Sequence, residues 1–190
     1  MRKSKALWGC ALAAALLLTA CGKPNAGSSG SGSMSGSGAA SQTTAAWKTG
    51  LGVVVETEDE DRTGSIRLAA AAVLLDGDGK IADVELDELE TTIGADGTGA
   101  VHLPTDYRTK RQKGADYPLA EASSLKKGWA EQADAFADYL TGRTPEQVSL
   151  LKLDNDGKPT DADLLAGCTI AVESYRNAVL RACADAREMS

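Results

Sequence analysis

Leu74-Leu75-Asp76-Gly77-Asp78-Gly79-Lys80-Ile81-Ala82-Asp83-Val84-Glu85-Leu86-Asp87 decides the fold class, because it sets a turn signal between two runs of strand character. Asp-Gly pairs supply the backbone freedom and side-chain acceptors of a tight reversal, so the simplest reading is a β-hairpin. On its far side, residues 80–89 alternate apolar and acidic at strand period, and on its near side residues 65–75 form an alanine-diluted apolar run. Residues 50–58, rich in valine and ending in acid, supply a further strand. An EF-hand reading of the same turn fails. With Asp76 at loop position 1, Ile81 stands where glycine is required and Asp87 where glutamate is.

The second half changes period. Leu125, Trp129, Ala133, Phe136 and Leu140 recur at helical spacing over residues 125–140, a stripe suited to lie on a sheet, and Gly142 stops it. Thr144-Pro145-Glu146 places a capping hydroxyl before proline at the first helical position, which predicts a short helix to about Leu151. Val172, Tyr175, Val179, Ala182, Ala186 and Met189 mark a closing helix over residues 170–189. Strands followed by helices predict an α+β fold, an antiparallel sheet packed against helices.

This domain occupies residues 46–190, long enough to bury a core without a disulfide framework. The segment before it is of a different kind. Arg2, Lys3 and Lys5 precede an apolar run of 13 residues, 6–18, too short for the roughly 20 a membrane-crossing helix needs. Leu18-Thr19-Ala20-Cys21 closes that run and resembles the lipobox of bacterial lipoproteins. The resemblance implies a signal peptide over 1–20, and lipidation of Cys21 with acyl chains of the palmitate kind. It also implies a place on the extracytoplasmic face of the cell membrane. Residues 21–45 then form a tether. Its stretch 22–41 is nearly all Gly, Ser, Ala and Asn, with Met34 its one large apolar residue. Loss of the three leader cations takes the formal charge from -7 to about -10, which argues against nucleic acid as a partner.

Few residues in the domain carry distinctive chemistry. His102 is the only histidine, which excludes a histidine-rich metal or haem centre, and no Ser-His-Asp or Cys-His pairing is visible. Cys168 and Cys183 are expected to stay unpaired, since one helix between them would hold them about 22 Å apart. Arg108, Lys110, Arg111 and Lys113 form a positive patch, solvated or able to receive a phosphate. Trp129 and Tyr175 lie on core stripes and are expected to be structural, with Tyr107 and Tyr117 free to line a ligand edge. Residues 75–80 are echoed by Leu153-Asp154-Asn155-Asp156-Gly157-Lys158, for which shared turn chemistry is the simpler account than duplication.

Asp163-Leu164-Leu165-Ala166-Gly167-Cys168-Thr169 is the most suggestive polar segment. It resembles the covalent flavin-attachment motif of the FMN-binding domain family, keeping Asp163, Gly167 and Thr169 in register. Ala166 replaces the family's hydroxyl residue and Cys168 its alanine. Gly50-Leu51-Gly52, Thr109-Lys110-Arg111 with Gly114-Ala115-Asp116-Tyr117, Gly128-Trp129-Ala130-Glu131-Gln132 and Pro159-Thr160-Asp161 also resemble segments of tethered lipoproteins in that family. The resemblance implies FMN esterified to Thr169 by a separate flavin transferase, and membrane redox partners. It places Gly167, Cys168 and Asp163 in the cofactor site.

From the residues alone, Thr169 beside a predicted helix N-terminus could hold a phosphate, Gly167 could admit close backbone approach, and Asp163 could hold a cation. Equally, Thr169 could cap the helix, Gly167 serve a turn and Asp163 be solvated, in a nonredox binding or interaction domain. Asp96-Gly97-Thr98-Gly99-Ala100-Val101 is a weaker look-alike of the motif.

Overall fold

A computed structural model describes residues 46–188. The leader, Cys21, the tether and Met189 lie outside the described residues. Five strands form one antiparallel sheet: β1 (Lys48–Glu60), β2 (Thr63–Leu75), β3 (Ile81–Ala95), β4 (Val101–His102) and β5 (Arg187–Glu188). Their spatial order is β4-β3-β2-β1-β5, so the first four are a meander and the C-terminal strand returns beside the first. The strands run beyond the stretches their apolar content marked, because ladder pairing continues through the acidic ends Glu56, Glu58 and Glu60 of β1.

The α+β reading of the sequence is correct at this level. Between β4 and β5 lie α1 (Lys110–Lys113), α2 (Leu119–Ala122), α3 (Trp129–Leu140), α4 (Pro145–Ser149), α5 (Ala162–Leu165) and α6 (Glu173–Asp185). Among the described residues no helix is long and apolar enough to cross a membrane. One sheet face is buried under α3 and α6. Val54, Ala69, Ala71, Val73, Val84 and Leu86 from the strands meet Phe136 and Leu140 from α3 and Ala178, Val179 and Ala182 from α6. Phe136 and Leu140 are wholly buried; each contributes about 1.5–3 kcal/mol on leaving water.

Helix α6 lies almost on the backbone of β1. A Cβ built on Gly52 would stand 2.0 Å from the Ala178 carbonyl oxygen, and one on Gly50 2.0 Å from that of Ala182. Any side chain at these two positions would lift the helix from the sheet.

The hairpin turn at residues 76–79 is present: Asp76 Oδ1 accepts the N–H groups of Asp78 and Lys80 at 2.9 and 2.8 Å. Asp154 does the same for Asp156 and Lys158, both at 2.9 Å, so the internal echo is the same turn built twice. A third copy, at Asp96, engages the Thr98 hydroxyl and N–H, which gives the look-alike motif a purely local role.

Two helix expectations need correction. Helix α3 begins at Trp129, with Leu125 outside it, because Glu131 folds back to accept the Gly128 N–H at 2.8 Å and closes the N-terminus there. The closing helix spans Glu173–Asp185 rather than 170–189. Ala186 turns to extended backbone so that Arg187 and Glu188 can pair with Thr49 and Lys48.

Candidate functional site

Residues 163–169 fold as the end of α5 and the loop before α6. Asp161 caps α5, its Oδ1 accepting the N–H groups of Asp163 and Leu164 at 3.0 and 3.3 Å. Asp163 is exposed in the first turn. A Cβ on Gly167 would lie 2.8 Å from Ala135 Cβ, so the missing side chain brings the loop against α3. Cys168 is wholly buried, and burial pushes its thiol up to about 11, which leaves it a small apolar filler.

Thr169 does not stand at a helix N-terminus. Helix α6 starts four residues later, with Val172 at the cap and no side-chain capping bond. The loop is instead pinned from two sides. The Thr169 N–H and hydroxyl both donate to Gln132 Oε1, at 2.9 and 3.1 Å, and the Val172 N–H donates to the Gly157 carbonyl at 2.8 Å. Gln132 is itself wholly buried and fully engaged, its Nε2 donating to Ser123 Oγ and to the Lys127 carbonyl, each at 3.0 Å. Thr169 is half-buried, and its oxygen keeps acceptor capacity after donating its proton.

The two residues after Thr169 enter the wall of a cleft of about 270 Å³. Its floor is a buried polar network. Tyr175 Oη donates to Glu88 Oε2, and Trp129 Nε1 donates to Tyr175 Oη at 3.0 Å, the two rings meeting edge to face at 5.9 Å. Lys110 Nζ lies 2.7 Å from Glu88 Oε1 and 3.2 Å from Glu90 Oε2, and 4.9 Å above the Tyr117 ring. Lys110 and Glu88 are only 8% and 6% exposed.

Burial opposes the Lys110 charge, but the Glu88 carboxylate outweighs it and raises the pKa. Glu90 is likewise opposed by burial and carried below its ordinary value by Lys110 and Tyr117. Tyr175 is pushed far up by burial and by Glu88, and remains a neutral donor.

This arrangement corrects the positive patch read from the sequence. Arg108 pairs with Asp106 and Asp116, each at 3.0 Å, Lys110 lies in the cleft floor, and Arg111 reaches Asp134 at 2.8 Å. Three of the four cations are thus already neutralised, which removes them as a ready phosphate receptor. The expectation that Trp129 and Tyr175 are structural matches their burial, 2% and 4% exposed. Tyr117 does reach the cleft edge, donating to Glu90 Oε2 at 3.2 Å, whereas Tyr107 is exposed.

Sequence reading missed Glu88 and Gln132. Continuing the inward phase Val84, Leu86 along β3 would have brought Glu88 and Glu90 to the buried face. Gln132 sits one turn after Trp129's end of α3, beside the buried stripe, and carried no comparable signal.

Cys168 and Cys183 are both free thiols; Cys168 precedes α6 instead of sharing a helix with Cys183, so their separation does not follow from a helix rise. His102 stays local, 3.5 Å from Asp96. No protein-family model matches the chain, and no curated protein or solved structure matches it.

Proposed function

We propose that the chain is a lipid-anchored extracytoplasmic lipoprotein, held at the cell membrane through Cys21, whose domain carries FMN esterified to Thr169. The observation that carries this reading is the placement of the Thr169 hydroxyl. It is half-buried, fixed by Gln132, and adjacent in the chain to Ile170, which lines a polar cleft.

The residues fit attachment in one respect and limit it in another. Thr169 Oγ is the nucleophile in register, while Cys168 is sealed and protonated. Trp129 and Tyr175, in contrast, are spent on each other and on Glu88, so neither ring is open to stack on a flavin. Thr169 would therefore hold the group through its phosphate, with Gln132 orienting the hydroxyl. When bound, FMN supplies one- and two-electron transfer between membrane donors and extracytoplasmic acceptors. A separate flavin transferase would supply it from FAD, the Thr169 oxygen taking the FMN phosphoryl group as the pyrophosphate bond breaks and AMP leaves. Production of the protein alongside such a transferase, followed by intact mass and visible absorption, tests the reading: a yellow protein heavier by one esterified FMN is expected.

A specific observation favours a second reading, a nonredox binding or interaction lipoprotein. Gly167, Cys168 and Thr169 each have a complete packing or hydrogen-bonding role without a cofactor. A colourless product at apo mass would put this reading first.

A further inference from the structure

We propose that the open face of the sheet is a docking surface for a basic, amphipathic segment of a partner protein. This inference does not rest on the flavin reading. An antiparallel sheet with one solvated face normally places polar residues there. Here the outward positions of β1 and β2 are apolar and paired across the ladder: Leu51 with Ala72, Val53 with Ala70, Val55 with Leu68. Leu51 is 61% and Val55 54% exposed. The small Ala70 and Ala72 leave two shallow depressions, about 460 and 270 Å³, that share Leu51, Ala72 and Glu85. A contiguous exposed apolar strip of this kind marks an interaction site.

The charge beside the strip identifies its occupant. Outward positions of β3 opposite Leu74, Ala72 and Ala70 are Asp83, Glu85 and Asp87, an acidic row along one side of the apolar strip. Arg111 answers that row only in part: its backbone N–H donates to Asp87 Oδ1 at 3.2 Å and its guanidinium reaches Glu85 at 4.0 Å, while its strong pair is Asp134 at 2.8 Å. Glu85 keeps 74% of its side chain exposed.

The chain's own tether cannot cover the strip, since residues 22–41 offer Met34 as their only large apolar side chain. A second copy is disfavoured by the negative charge each chain would bring, about -10 once the leader is lost. A helical segment with an apolar stripe flanked by lysine or arginine satisfies both features: the stripe fills the alanine depressions and the flanking cations meet the β3 row.

The test uses the full lipidated protein in vesicles of neutral phosphatidylcholine and two synthetic amphipathic-helix probes with the same leucine stripe, a lysine peptide in which lysine flanks the stripe and a glutamate peptide in which glutamate does. The lysine peptide should bind, with amide shifts confined to β1, β2 and β3, and the glutamate peptide should not. Leu51→Ser with Val55→Ser, and separately Asp83→Asn with Glu85→Gln, should each weaken binding at least tenfold while leaving the melting temperature near wild type, since these residues are exposed. Unchanged affinity in either double variant, or shifts mapped elsewhere, overturns the proposal. So does a concentration-dependent dimer that Leu51→Ser with Val55→Ser abolishes, which would make a second copy the occupant.

Discussion

The loop over residues 163–169 and the floor of the neighbouring cleft are both polar, yet they are built in opposite ways. The loop is one contiguous stretch whose backbone is satisfied locally, by Asp161 and the turn of α5, and whose last residue, Thr169, is held by a single buried amide, Gln132. The floor gathers charged and aromatic groups from β3, α1, α3 and α6, none adjacent in the chain, into a buried ion pair with hydrogen-bonded rings. A loop held by separate local bonds tolerates loss of one member; a buried ion pair does not. Its desolvation is repaid only while both charges are present.

That difference sets the order of expected effects. Lys110→Met should cost about 3–5 kcal/mol in a denaturant titration, because it strands Glu88 in the interior. Combining it with Glu88→Gln should recover much of the loss, and a double variant no better than the single one would break the comparison. Gln132→Leu should cost less, about 2 kcal/mol, since it leaves the partly buried Thr169 N–H and hydroxyl without their acceptor. Thr169→Ala removes only one of those two bonds and should cost about 1 kcal/mol by thermal or chemical melting.

The same contrast sharpens with pH. Glu90 has a lowered folded pKa, so its contribution is complete above its ordinary value of 4.5 and is lost as pH falls through the lower folded value. Lys110 is raised, so its contribution is complete below 10.5 and is lost as pH rises through the higher folded value. Stability should be level across neutral pH and fall at both ends. Lys110→Met should flatten the alkaline flank, while Gln132→Leu should lower the whole curve without changing its shape.

What was legible in the sequence follows the same division. Local patterns gave β1, β2 and β3, the Asp-Gly turn at residues 76–79 and most of the buried stripes of α3 and α6, because period and turn chemistry act within a few residues; the two-residue β4 carried no such signal. Helix ends were less legible. The pairing of Arg187 with Thr49 that ends α6 early is a contact across most of the chain. Thr169 looked like a cap from its neighbours, and only the fold brings Gln132 to its hydroxyl. The patch of Arg108, Lys110 and Arg111 looked free for the same reason: its carboxylate partners include Glu88 and Asp134, supplied by β3 and α3.

The central claim is that Thr169 carries FMN, and peptide mapping of protein made with a flavin transferase tests it most directly. The account predicts one esterified FMN on the peptide containing Thr169, absent in Thr169→Ala and increased in Ala166→Ser, which restores a hydroxyl three residues upstream. A flavin on any other residue, or none in either the wild type or Ala166→Ser, would contradict it.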